Sequence, residues 1–270
     1  MSTGTSTLER TAPATRTGAP PEPIPMSRII TVEISKMFDT RSGFWLLAGV
    51  GIAASIATIA TIVFSPHDDL GYGNFAGAVG FPMTVILPMI AILAVTSEWS
   101  QRSGLTTFTL IPHRSRVIVG KLGATLAVGV VSIIIAFTVG ALGNVIGSSL
   151  VGVPIRWDMS PGLVAQIFLA DGLTMLMGFT LGILIRSSPG AIVAYFVYAL
   201  VLPAALGALA SFQHWFSVHQ GWFDFNYSVG ELYDNGVGGK DWAHLAASGS
   251  YWLVIPLMVG LWTVTRSEVK

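Results

Sequence analysis

The sequence predicts an all-α membrane protein: six transmembrane helices, an N-terminal interfacial helix and a helical outer loop before the last span. Only 10% of its 270 residues are charged, whereas soluble domains carry about 25%. Hydrophobic residues make up 52% of the chain, and the mean hydropathy is +0.69. Most of the surface therefore faces something other than water.

Six apolar runs have the length of a membrane-crossing helix, which needs about 20 residues. They cover residues 43–64, about 76–96, about 122–147, 162–185, about 190–211 and about 249–265. Proline lies inside the second run, at Pro82 and Pro88, and inside the sixth, at Pro256. These prolines are compatible with spanning helices because neighbouring helices can satisfy the carbonyls that proline frees.

Two segments precede the first span. Residues 1–25 are rich in Thr, Ala and Pro without an apolar core, which predicts a disordered tail. Residues 26–41 predict an amphipathic helix in the membrane interface, the start of a membrane domain over 26–270. Its expected apolar side is Met26, Ile29, Ile30, Ile34, Met37 and Phe38. Its expected polar side is Arg28, Thr31, Glu33, Ser35, Lys36 and Asp39.

The positions of Lys and Arg predict the orientation of the chain. With the N-terminus inside, twelve of the fourteen basic residues fall in inside segments, and only Arg156 and Lys240 fall outside. Cytoplasmic loops carry such an excess of Lys and Arg. We therefore expect both termini to be cytoplasmic in a multi-pass protein.

Residues 97–121, here called the polar island, separate the second and third apolar runs. No charged residue occurs from Leu70 to Ser97 or from Leu122 to Ile155. Hydrocarbon excludes a polar segment of this length, so the island lies at one membrane face. A simple basic loop explains Arg114, Arg116 and Lys121. It does not explain the threonines that alternate with apolar residues over 105–110, which predict a small helix facing another protein.

The loop 212–248, before the last span, is strongly aromatic, and aromatic rings prefer the headgroup level. We expect short helices lying on the outer interface or dipping into it. His214, His219 and His244 lie in this loop. A metal site is conceivable there, but no two are spaced i, i+4 as a helical ligand pair, which favours solvated interfacial histidines.

The chain lacks the sequence motifs of several enzyme classes. It has no cysteine, which excludes disulfides and thiolate chemistry. It has no Gly-rich loop ending in Gly-Lys-Ser/Thr, no His-Glu-x-x-His and no Gly-x-Ser-x-Gly. We therefore expect neither ATP binding of the phosphate-loop kind nor an enzyme.

Asp171 is the one acid well inside a predicted span. Ionisable residues at membrane depth are functional by default. Two structural alternatives stay open: a hydrogen bond to a neighbouring helix, and a position nearer the outer surface. Asn144 in the third span is a weaker candidate, and Tyr195 and Tyr198 in the fifth can line a path or simply pack.

The polar island follows a pattern beyond its charge. An acid ends the second span, a short threonine-rich stretch follows, then Pro and Arg, and a Lys opens the third span. These residues are Glu98, Gly104, Leu105, Thr106, Thr107, Thr109, Leu110, Pro112, Arg114 and Lys121. The pattern resembles the permease subunits of type-two ABC exporters. The segment with Glu33, Lys36 and Arg41 and the turn 186–190 are also similar, and the composition is actinobacterial-like.

The resemblance implies partners and a location. Two permease chains, identical or different, would pair in membrane lipid of the bacterial plasma membrane. Separate cytosolic ABC ATPase subunits would bind ATP and Mg, so this chain would hold no cofactor. No nucleic-acid partner is expected.

The resemblance also implies roles for residues. Contact with the ATPase would involve Glu33, Lys36, Arg41, Glu98, Arg102, Leu105, Thr106, Thr107, Leu110 and Arg114. The translocation path would involve Asn144, Asp171, Tyr195 and Tyr198. The outer gate in 212–248 would involve Trp215, Trp222 and Phe225.

Other classes compete with this interpretation. A stand-alone carrier or a structural membrane subunit is the main alternative. A proton-coupled carrier should show several ionisable groups inside its spans, and only one is present here. An intramembrane enzyme needs converging polar groups at membrane depth, and Asp171 shows no such partner in the sequence.

Overall fold

The structure, a computed structural model, describes residues 24–39, 41–66, 70–100, 114–234 and 236–266. These residues are mostly helical, with no strand among them. Six of the described helices are long and apolar enough to cross a membrane. The chain is therefore a multi-pass all-α membrane protein, as the sequence predicted.

The helices are numbered in chain order. The first five are α1 (Met26–Asp39), α2 (Arg41–Phe64), α3 (Tyr72–Ser100), α4 (Arg114–Val151) and α5 (Pro161–Ile185). Helix α6 is Ser188–Phe212 with a π-helical turn at Val197–Val201. Two short helices follow, α7 (His214–Phe223) and α8 (Phe225–Gly230), and then a 3₁₀ turn, Glu231–Tyr233. Helix α9 covers 239–266, with a π-helical turn at Ser250–Val254.

The spanning helices are α2 to α6 and α9, and successive spans alternate in direction. We call the end of the bundle where α2 begins and α9 ends the terminal end. Helix α3 ends there, α4 begins there, and α5 passes into α6 there. The other end is called the opposite end. The described parts of the polar island, the end of α3 and the start of α4, therefore lie at the terminal end, and the segment from α7 to the 3₁₀ turn follows α6 at the opposite end.

The sixth span is longer than predicted. Residues 239–248, predicted as the end of the outer loop, form the first part of α9 instead. The backbone N–H of Gly238 donates to Asp241 Oδ2 at 2.8 Å and caps this helix. The predicted boundary was wrong because Lys240 and Asp241 lower the local hydropathy without interrupting the helix.

Helix α3 lies at the centre of the bundle and packs against α2, α4 and α5. Its buried side chains include Leu87, which packs in one apolar cluster with Met175 and Phe179 of α5, and Ile92, which packs in a second cluster with Met177 of α5. Helices α2 and α6 are peripheral, and α2 exposes a continuous apolar stripe, Ile52, Ile56, Ile59 and Val63. In a membrane protein such a stripe is a surface for lipid tails or for another apolar helix.

A proline in α3 is matched by a tyrosine in α6. Pro88 lacks the N–H that would bond to the carbonyl of Thr84, four residues earlier. The Tyr195 hydroxyl donates to that carbonyl instead, at an O–O distance of 2.5 Å. A neighbouring helix thus satisfies the freed group, as predicted from the prolines. Because Tyr195 is almost fully buried, this bond links α3 to α6 inside the bundle.

The turn between α5 and α6 has strong local signals. Helix α5 starts after Ser160, whose hydroxyl accepts from the Leu163 N–H at 3.1 Å. It ends at Arg186, which has a left-handed backbone with φ of 56°. Pro189 then lies in the first turn of α6, where its missing N–H has no cost.

The close approach of α3 and α5 is testable at one glycine. A Cβ at Gly178 would lie 2.7 Å from the Pro88 carbonyl oxygen, whereas a Cβ at Gly172, in the same helix, would meet nothing within 4 Å. We expect Gly178→Ala to destabilise the protein by about 1–3 kcal/mol through overpacking. Thermal unfolding in detergent measures this, with Gly172→Ala as control. Equal melting temperatures for the two variants would contradict this packing.

Candidate functional site

A buried ion pair lies at the terminal end, beside the start of α4. Lys121 Nζ of α4 lies 2.5 Å from Glu33 Oε2 of α1, and Lys36 Nζ lies 2.6 Å from the other oxygen. The side chains of Lys121 and Glu33 are 4% and 5% exposed, against 47% for Lys36. Lys121 also donates to the backbone carbonyl of Ala94 in α3, at 3.4 Å. One ammonium group therefore contacts three helices.

The structure corrects the predicted faces of α1. Glu33 was expected on the polar side, but it lies on the buried side with Ile29. Phe38 was expected on the apolar side and is exposed. The reason is tertiary: a buried ammonium on α4 needs a counter-charge, and α1 supplies it at the position that faces Lys121.

The pKa of Glu33 reflects this environment. Burial acts to raise the pKa, because it disfavours the charged carboxylate. The ammonium groups of Lys121 and Lys36 outweigh burial, and the pKa of Glu33 lies below its ordinary value. The Glu33 carboxylate is therefore charged at neutral pH.

Two glycines of α4 allow α1 to approach closely. A Cβ at Gly120 would lie 2.5 Å from Ile29 Cγ2, and a Cβ at Gly123 would lie 3.3 Å from Ile30 Cδ1. The Arg116 guanidinium also donates to the Ile24 carbonyl at 2.7 Å, just before α1 begins. Apolar contact, the ion pair and this bond together hold α1 on α4.

Two of the predicted ATPase-coupling residues, Glu33 and Lys36, belong to this cluster of charges. Arg41 is exposed at the start of α2. Glu98 lies in the last turn of α3, and Arg114 is the first residue of α4. Five others lie outside the described residues: Arg102, Leu105, Thr106, Thr107 and Leu110. The coupling role of all these residues stays a prediction.

Asp171, the acid in the fourth span, has a partner that the sequence analysis missed. The Tyr233 hydroxyl donates to Asp171 Oδ1 at 2.9 Å. Burial raises the pKa of the Tyr233 phenol, and the adjacent Asp171 raises it further, so the hydroxyl keeps its proton. Asp171 Oδ2 is buried with no hydrogen-bond partner among the described residues. Tyr233 was missed because 62 residues separate it from Asp171 and no motif links them.

The contact has a defined position along α5. Asp171 is the eleventh residue of α5, which starts at Pro161, so it lies about 15 Å along the helix. It is therefore near the middle of α5, and its depth in the membrane stays a prediction. Its bond is to the 3₁₀ turn rather than to a neighbouring span, so the segment 213–233 folds back from the opposite end into the bundle.

Two π-helical turns hold this re-entrant segment. A π-turn widens the helix and often marks a functional site. The Asn226 side chain donates to the Tyr198 carbonyl in the α6 π-turn at 3.0 Å. Trp252 of the α9 π-turn donates its indole N–H to the Phe223 carbonyl at 2.8 Å. The Tyr198 and Trp252 rings lie 6.1 Å apart, so both turns contact the segment at one place.

The side chain of Asn144 is hydrogen-bonded to the loop that follows α4. Its side-chain amide donates to the Arg156 carbonyl at 3.0 Å, and the Ser148 hydroxyl donates to its oxygen at 3.4 Å. The Tyr72 backbone N–H donates to the same Arg156 carbonyl at 3.0 Å. These bonds fasten the loop between α4 and α5 to the start of α3. They account for a buried polar residue near the opposite end of α4.

The predicted gate residues differ in exposure. Trp215 is exposed on α7 and stacks on His219, and Trp222 is partly exposed. Phe225 is buried against Gly249 of α9, so it is part of the packed interior. His244, expected to be solvated, is buried edge-on against Trp222 with ring centroids 4.7 Å apart. The prediction of a solvated histidine is wrong there because α7 packs over α9.

Comparison with known proteins adds no assignment. The sequence matches no model of a known protein family, and no curated protein matches it. The two described features with functional potential are the buried ion pair at the terminal end and Asp171 inside the bundle.

The Asp171 contact predicts how firmly the re-entrant segment is held. Tyr233→Phe removes the bond to the carboxylate, and hydrogen bonds to charged groups contribute about 1.5–3 kcal/mol. We expect faster amide exchange over 225–233, measured by hydrogen–deuterium exchange of the full chain in lipid nanodiscs. Tyr251→Phe, at an exposed tyrosine of α9, is the matched control. Unchanged exchange in Tyr233→Phe would show that the bond does not hold the segment.

Proposed function

We propose that this chain is the transmembrane subunit of an ATP-driven exporter in the bacterial plasma membrane, with both termini cytoplasmic. It would form the translocation path with a second permease chain. Separate cytosolic ATPase subunits would supply the energy, because no phosphate-loop motif occurs in this sequence.

The observation that carries the proposal is the polar island between two long apolar helices. Its threonine-rich pattern resembles the coupling loop of type-two ABC exporter permeases. Its two roots, the end of α3 and the start of α4, lie next to the buried pair that fixes α1. A partner that pushes on the island would therefore act on three helices at once.

The proposal gives the two ends of the bundle different tasks. The ATPase would bind the island and the exposed side of α1 at the terminal end. Movement of α3 and α5, the most buried spans, would reach Asp171 and the re-entrant segment. Release of that segment would open the path toward the opposite end, with Trp215 and Trp222 at its outer surface.

A stand-alone carrier is the second candidate, and Asp171 is the observation that favours it. A buried carboxylate with an unbonded oxygen is suited to take a proton or a cationic group. A structural membrane subunit would need neither this acid nor an ATPase. Purifying the chain together with its bound proteins distinguishes these candidates, because only the exporter subunit should retain an ATPase.

The proposal predicts a retained ATPase. The chain, purified gently from its own host, should carry a phosphate-loop ATPase that mass spectrometry identifies. Glu98→Ala and deletion of Leu105–Leu110 should weaken this association or uncouple ATP hydrolysis from transport, because they remove the coupling contact. Lys240→Ala, at an exposed charged residue near the start of α9 at the opposite end, is the control. A chain that purifies alone and binds no added ATPase would favour the carrier.

The proposal also predicts a transport defect for Asp171→Asn. The amide oxygen can still accept from Tyr233, while an NH2 group of similar size replaces the ionisable oxygen, so the variant can no longer take up or release a proton there. We expect reduced ATP-dependent uptake into inside-out vesicles of a dye that the wild-type complex carries, selected from a panel. Gly172→Ala, one residue away, controls for general damage to α5. Wild-type uptake by Asp171→Asn would assign the acid to packing.

A further inference from the structure

Lys121 occupies the point where the two roots of the polar island meet α1. Its ammonium group contacts Glu33 of α1 at 2.5 Å and the Ala94 carbonyl of α3 at 3.4 Å. Lys121 itself belongs to α4, seven residues after the helix begins at Arg114. A charge that is 4% exposed loses most of its hydration, so its position depends on these partners.

The end of α3 has a second connection. The Thr96 and Ser188 hydroxyls are hydrogen-bonded at 2.7 Å, which joins α3 to the first residue of α6. Thr96 is fully buried, and its hydroxyl also donates to the Ile92 carbonyl at 2.7 Å. The last two turns of α3 are therefore fastened to α1 and α4 on one side and to α6 on the other.

We propose that the Glu33–Lys121 pair is the joint that makes α1, the end of α3 and the start of α4 move as one unit. Lys121 and Glu33 are thereby positioning residues for ATPase coupling, an inference that rests on the proposed function. Because both side chains are buried, the pair would act through the helices that it joins rather than by direct contact with the ATPase or the cargo. It would transmit movement because separating its members breaks a buried contact between two charges.

Lys36 supplies the matched comparison within the same cluster. It bonds to the same carboxylate at 2.6 Å, but its side chain is 47% exposed. Water can replace an exposed ammonium, so the loss of Lys36 has little consequence. Glu33 therefore makes two ion pairs of different kinds: a buried one with Lys121, which we propose as the joint, and an ordinary surface one with Lys36.

The first test needs no ATPase and uses the full chain in nanodiscs. Glu33→Gln removes the charged partner that the buried Lys121 has on α1, and we expect amide exchange over 26–39 to rise about a hundredfold. In Lys36→Met we expect exchange within about fivefold of wild type. The double variant Glu33→Leu/Lys121→Met replaces the pair by apolar groups. It should restore slow exchange, and it keeps the test available if Glu33→Gln does not fold.

The second test uses the complex with the captured ATPase. ATP should change amide exchange over 225–233 in the wild type. This response should be lost in Glu33→Gln and kept in the double variant. Rescue by an uncharged pair identifies docking of α1, rather than charge itself, as the requirement.

The outcomes are distinguishable. If amide exchange over 26–39 is as slow in Glu33→Gln as in the wild type, the pair is not the joint. The same conclusion follows if this exchange stays fast in the double variant. If Glu33→Gln speeds amide exchange over 26–39 but keeps the ATP-dependent change over 225–233, the pair does not transmit movement from the ATPase. If the wild type binds no ATPase or shows no ATP response, the proposed function and the transmission role fail together. The first test, amide exchange over 26–39 without an ATPase, still decides whether the pair holds α1 on α4.

Discussion

A charge removed from water requires a partner, and this constraint determines how the described helices of the bundle are joined. Lys121 is the strongest case, because its ammonium group is buried at the start of a long apolar helix. Glu33 of α1 supplies the counter-charge from outside the spans, and α1 therefore packs against α4. Asp171 and Tyr233 repeat the arrangement nearer the middle of α5, where a segment from the opposite end supplies the donor.

Helix α3 connects these two places. Its terminal end carries Ala94 and Thr96, which bond to α4 and α6, and its middle carries the proline whose freed carbonyl binds Tyr195. The close contact at Gly178 holds α5, and with it Asp171, against the same helix. Because closely packed helices resist independent movement, a displacement at the roots of the island has a direct physical route to Asp171.

The re-entrant segment is the least uniform part of the described bundle. It combines exposed aromatic rings on α7 with a buried interior around Phe225. Polar contacts from Tyr233, Asn226, Trp252 and Ser248 join it to the spans, and those of Asn226 and Trp252 involve π-helical turns. Phe225, Val229 and Leu232 of the segment also pack in one apolar cluster with side chains of the spans, so both directional bonds and apolar contacts hold the segment in place.

The sequence by itself determined the class of protein and the approximate spans, because length and hydropathy are local properties of the chain. It also marked Asp171, the polar island and the turn at Arg186. Only the tertiary structure decided that Glu33 faces inward, that Tyr233 binds Asp171 and that Tyr195 satisfies the carbonyl freed by Pro88. Each of these depends on a partner 62 to 111 residues away. Such pairings arise when helices pack, and no spacing within one helix encodes them.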